Sequence, residues 1–156
     1  MEMFRNSLLV LMLGFVTNIF AQTNQQRIRH YNLENGLAIQ GYDPVAYFSL
    51  NKAVKGEKKF SVKHNGVTYY FSSEKNKEVF TVNPSKYEPQ YGGWCAFAMG
   101  DKGEKVEIDP ETFKIVGGKL YLFYNAYFNN TLKDWNKDEK NLKAKAGKNW
   151  LIIITK

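Results

Sequence analysis

Apolar and polar positions are most clearly ordered at two places in the chain. Phe60-Ser61-Val62-Lys63 and Val67-Thr68-Tyr69-Tyr70-Phe71 flank His64-Asn65-Gly66. Asn-Gly between two β-rich runs is the strongest short hairpin signal a sequence carries. Phe113 to Val116 and Leu120 to Tyr124 flank Gly117-Gly118-Lys119 and predict a second hairpin. Lys105-Val106-Glu107-Ile108 alternates as a half-buried strand does. Asp43-Pro44 marks a turn, after which Val45 to Phe48 begins a strand or a short helix. Asp43 either caps a helix with Pro44 at its first position or points into a site. Ser72 or Ser73 caps a helix through Phe80, which Asn83-Pro84 closes, with one more helical turn through Tyr87. Asn125 is placed to cap a helix from Ala126 to about Asp138, with Phe128, Leu132 and Trp135 on one face. A lysine-rich helix follows over Lys137 to Lys148, docked by Trp150. Leu151 to Ile154 is apolar and β-prone, either a last strand or a tail. The fold class these elements predict is α+β: a small antiparallel sheet built from hairpins, with short helices packed on it.

The ends set the organisation. Residues 1–21 read as a secretory signal peptide, with Arg5 before an apolar run from Leu8 to Val16 and a cut after Ala21. That run is short for a membrane span, so no stable span is expected after cleavage, with an uncleaved anchor as the lesser alternative. Residues 22–36 read as a flexible lead-in, with His30 exposed at the end of its polar stretch Gln22 to Arg29, residues 37–150 as one domain, and residues 151–156 as the strand or tail. The expected location is periplasmic or extracellular. A single cysteine excludes an internal disulfide, so stability must come from packing, in line with 15% aromatic residues. The net charge of +7 comes largely from scattered lysines, which predicts a solvated face and no nucleic-acid partner.

Candidate chemistry gathers in Glu88 to Gly100, Glu-Pro-Gln-Tyr-Gly-Gly-Trp-Cys-Ala-Phe-Ala-Met-Gly. Either Cys95 is a small core residue, or the glycines let a ligand approach and Cys95 meets it. Tyr91, Gly92, Gly93, Trp94, Cys95 and Asp43 are the candidate ligand-binding residues. No Ser-His-Asp set, phosphate loop, paired metal histidines or Cys-x-x-Cys is present, and no catalytic residue is assigned.

Asp43-Pro44-Val45, Tyr69-Tyr70-Phe71-Ser72-Ser73-Glu74, Phe80 and Asn83-Pro84-Ser85-Lys86-Tyr87 resemble the YHS domain, with a core of about residues 41–91. The wider pattern is similar to exported, single-domain YHS proteins of bacteria. The resemblance implies a binding module of the cell envelope. Metal-binding members carry a cysteine after Asp-Pro-Val and a Cys-x-x-x-Cys pair at the helix start. Those positions are Ala46, Ser72 and Asn76 in this chain, so that site does not carry over. Within the exported type Cys95 is the remaining thiol. With Met99, four residues on, and a distant His64 or His30 it would form a copper site of few ligands, Cys-x-x-x-Met suiting Cu(I). Three functions follow: a non-catalytic module holding copper or a small ligand near Cys95, a structural or interaction domain without ligand, and, less favoured, a thiol enzyme using Cys95. No protein partner is specified.

Overall fold

Asn65 and Gly66 close the first hairpin with φ of 46° and 86°, the paired left-handed residues that match the twist of the flanking strands. A computed structural model describes residues 24–156. The expected signal segment, residues 1–21, lies outside the described residues. Residues 24–30 are helical (α1). Two short strands, β1 (Leu33–Glu34) and β2 (Leu37–Ala38), lead into helix α2 (Pro44–Ser49). The hairpin β3 (Glu57–His64) and β4 (Val67–Phe71) follows. The sheet order is β1-β2-β4-β3, antiparallel except where Leu37 of β2 meets Thr68 of β4 in parallel.

Alternation along β4 does what the sequence predicts. Val67, Tyr69 and Phe71 are fully buried, while Thr68 and Tyr70 between them are partly exposed. Helix α3 (Glu74–Val82) lies over this face, with its Phe80 ring 4.8 Å from Tyr69 and 5.1 Å from Phe71. Ser73 caps it by accepting the Asn76 N–H at 3.1 Å. Asn83-Pro84 then starts α4 (Pro84–Tyr87). The second hairpin is β5 (Asp109–Val116) with β6 (Lys119–Phe123), and the Tyr47 hydroxyl of α2 donates to the Pro110 carbonyl at 2.7 Å, joining the two halves. Between the hairpins stands α5 (Ala96–Asp101), packed on the C-terminal helix α7 (Glu139–Ile154). Gly100 makes that contact possible, because a Cβ there would sit 2.6 Å from the Leu142 carbonyl oxygen. The architecture is α+β, as expected.

Four local expectations are corrected. Residues 105–108 form no strand, because the Val106 carbonyl accepts the Cys95 N–H at 2.9 Å instead of joining a ladder. The helix expected from Ala126 begins later, as α6 (Thr131–Lys137), capped by Asn130 through the Leu132 N–H at 3.1 Å. The residues before it form a two-residue ribbon, β7 (Asn125–Ala126) with β8 (Asn129–Asn130), which throws Phe128 out of the core. Leu151 to Ile154 is neither strand nor tail. It continues α7, since Leu142, Ala146, Trp150 and Ile153 follow a helical period against the cluster around Tyr121 and Trp135. The lead-in is ordered from residue 24. His30 is 8% exposed, its carbonyl accepts from Trp94 Nε1 at 2.7 Å, and the Asn32 N–H donates to the Gly92 carbonyl at 2.9 Å. No helix among the described residues is long and apolar enough to cross a membrane.

Candidate functional site

The stretch Glu88 to Gly100 rests on an irregular backbone. Tyr91, Gly92 and Gly93 have φ of 55°, 60° and 87°, a left-handed run that glycine tolerates best. Space matters as much as conformation at Gly92. A Cβ there would lie 2.9 Å from the Trp150 ring and 2.9 Å from the Tyr31 ring. Tyr91 and Gly92 border a shallow cleft of about 330 Å³ with Tyr31, Glu88 and Trp150, whereas Gly93, Trp94 and Cys95 do not. Burial raises the Tyr91 hydroxyl well above its ordinary pKa.

Cys95 is 0% exposed, just before α5. Its sulfur accepts the Tyr124 N–H at 3.4 Å and lies 3.4 Å from Thr131 Oγ1. The Thr131 hydroxyl donates to the Tyr124 carbonyl at 2.9 Å, which leaves the thiol proton directed at Thr131. Met99, one helical turn on, is also fully buried, but it packs with Tyr121 and Trp135, while Cys95 packs with Tyr69, Phe71 and Phe80. His64 ends β3, with its ring edge-on to Phe80 at 6.1 Å and Nε2 3.2 Å from Asn65 Nδ2. Among the described residues no group of three or more His, Cys, Asp and Glu is arranged to hold a metal ion. Glu88, at the head of the stretch, organises a different group. It accepts from the Tyr69 hydroxyl at 2.6 Å and pairs with Arg27, which donates to the Tyr31 hydroxyl at 2.8 Å. Burial pushes the Tyr69 hydroxyl well up, and the Glu88 charge adds to it. Burial opposes the Arg27 charge, but Glu88 overrides it and holds the guanidinium above its ordinary value.

Asp43 is the most connected polar side chain in the core. It is 0% exposed and makes five hydrogen bonds. Oδ1 accepts from the N–H groups of Val45 at 2.8 Å and Ala46 at 3.3 Å, capping α2. Oδ2 accepts from the Ser72 N–H at 2.8 Å, the Ser72 hydroxyl at 2.6 Å and Asn76 Nδ2 at 2.7 Å. The capping alternative for Asp43 holds, and the same carboxylate also reaches across to the start of α3. Above this network opens a groove of about 500 Å³ between α2, α3 and α4. Phe48, Leu50, Val79 and Tyr87 form its apolar walls, and Lys75 and Lys86 stand on its rim.

The sequence model of the YHS domain matches residues 45–91. Residues 45–91 are a YHS domain by this match. No curated protein and no solved structure matches the chain. The match begins at Val45, two residues after Asp43, and ends on Tyr91, so it covers the groove, the first hairpin and the donors of the network but not Asp43 itself. The three positions at which metal-binding YHS domains carry thiols do converge, at Ala46, Ser72 and Asn76 around Asp43. They do not fit a soft metal ion. Ala46 offers a methyl group, Ser72 and Asn76 already donate to Asp43, and three backbone N–H groups point at the carboxylate. A cation placed there would find the carboxylate lone pairs already taken by N–H and O–H groups, with no thiolate or imidazole to hold it.

The sequence reading missed the groove walls. On the α3 side, Ser72 and Asn76 are marked in the sequence only as the positions where the resemblance puts thiols, and Val79 is not marked at all. Phe48 and Tyr87 were not legible as walls, because their edge-on contact at 5.3 Å joins two distant elements. Arg27 and Glu88, likewise, meet only through the docking of α1.

Proposed function

We propose that this YHS domain is a non-catalytic binding module that takes a small organic ligand, in place of a metal ion, in the groove between α2, α3 and α4. One observation carries the reading. The groove opens directly above Ser72 and Asn76, positions at which the resemblance puts thiols in metal-binding versions, and the Asp43 carboxylate lies beneath it, bonded to both. Export to the periplasm or beyond, expected from residues 1–21, is part of the same proposal. Copper at Cys95 and Met99 is the less supported alternative, since a buried thiol that already bonds Tyr124 and Thr131 would have to be uncovered to reach an ion.

A fragment screen by two-dimensional NMR on isotope-labelled protein tests the reading. Fragments are expected to shift the amides of Phe48, Ser72, Ser73 and Asn76. A screen in which no fragment maps to these residues removes the groove from the account. In parallel, Cu(I) competition is expected to give the same affinity for the wild type and Cys95→Ser. A loss of affinity in the variant would favour the copper alternative.

A further inference from the structure

We infer that the groove between α2, α3 and α4 selects an organic anion with an apolar tail. The inference rests on the binding-module reading and names the ligand class for it. It follows from which polar groups on the groove remain free. The Ser72 hydroxyl and both Asn76 amide protons are engaged with Asp43 or with each other, and the Ser49 hydroxyl donates to the Val45 carbonyl at 3.1 Å. Ser73 Oγ accepts the Asn76 N–H, which leaves its proton to give. Lys75 and Lys86 pair with no carboxylate among the described residues, whereas Lys77 on the same helix is taken by Glu74 at 2.6 Å. Apart from the Asn76 amide oxygen, the groups without a hydrogen-bond partner are therefore donors, two of them ammonium groups, with that of Lys86 resting over the Tyr87 ring at 5.2 Å, and no acidic side chain lines the groove. Asp43 beneath does not reverse this balance, because five N–H and O–H groups already converge on its oxygens. An anionic head that only accepts, such as a carboxylate, is the group that suits these donors.

The remainder of the groove suits a hydrocarbon body. Phe48 and Tyr87 form a wall at right angles to each other, Val79 adds to the apolar lining, and Leu50, also on the wall, is 62% exposed. A tail lying there removes apolar surface from water on both sides, the contribution that would carry most of the affinity. The ammonium groups on the rim add selectivity for the head group more than strength.

Three probes that share one decyl chain separate these contributions: decanoate, decanol and decyltrimethylammonium, each below its micelle concentration at low salt. Two-dimensional NMR titrations should place decanoate on Phe48, Ser73, Lys75 and Tyr87, about three- to tenfold tighter than decanol, as expected for contacts to partly exposed charges. Added salt should weaken decanoate and leave decanol unchanged. The Lys75→Gln/Lys86→Gln protein, with an unchanged urea midpoint, should bind decanoate no better than decanol. Equal or tighter binding of decanol or the cationic probe overturns the ligand class while leaving the groove as a binding site. Binding of a fragment at the groove with no response to any of the three probes does the same. If neither fragments nor probes reach the groove, the underlying binding reading falls with it.

Discussion

Asp43 shows how one side chain serves two parts of a fold. Its capping role was legible, because Asp before Pro is a local signal and α2 starts on the next residue. Its bonds to Ser72 and Asn76 were not, because they span 29 and 33 residues and depend on how the hairpin turns the chain back. Removing the carboxylate leaves several buried N–H groups without acceptors and deletes a cap. Asp43→Ala should therefore cost about 3 kcal/mol or more. Asp43→Asn should cost less, since it keeps one acceptor for α2 while turning an amide NH2 toward the Ser72 and Asn76 donors. Urea unfolding of the three proteins checks the order, and a loss below about 1 kcal/mol in the alanine variant would show that the network is not a structural anchor. Cys95 was less legible. Glycines beside a lone cysteine fit both a site and a core, and only the approach of Trp150 and Tyr31 to Gly92 shows what occupies the space there.

Secondary structure followed the sequence where local signals were strong and departed from it where they conflicted. Both hairpins lie where their Asn-Gly and Gly-Gly turns predicted. Two caps are available near Ala126, Asn125 and Asn130. The chain uses the second, because Thr131 in that register reaches the Tyr124 carbonyl through both its N–H and its hydroxyl. That choice forces an unusual turn in the β7–β8 ribbon. Tyr127 and Phe128 sit at φ of 49° and 64°, and they are 92% and 111% exposed. Neither residue type favours the left-handed region, and rings this exposed bury nothing in return. Tyr127→Asn combined with Phe128→Gly should raise stability by about 1–2 kcal/mol by supplying the residues such a turn prefers. Thermal unfolding measures it, and a lower midpoint in the double variant would show that the rings contribute contacts of their own.

Across the whole molecule, the largest departure from expectation is the docking of residues 24–32. Polar composition alone suggested a loose lead-in, but Arg27 finds Glu88, and His30 is covered by Trp94 and Lys105. Pairings of this kind carry no local pattern and exist only once the ends of the chain meet. His30 makes the docking sensitive to pH. Burial, then the charges of Lys105 and Arg29, holds its pKa below the usual 6.5. Between the folded value and about 6.5 the unfolded chain binds a proton that the folded chain refuses, so stability falls as pH drops through that window and levels off below it. His30→Gln should flatten this acid-side slope between pH of about 7.5 and 5.5. Urea midpoints for both proteins provide the comparison, and parallel slopes would dissociate His30 from the effect.

The lone sulfhydryl has a consequence for handling the protein. Wrapped inside an intact molecule, Cys95 has no oxidant within reach and no second cysteine in its own chain to join. Covalent dimers can therefore form only from molecules that have opened. The fraction crosslinked in air becomes a cumulative record of breathing, and a variant that loosens α5 or α6 would betray itself on a non-reducing gel before any loss of secondary structure was visible.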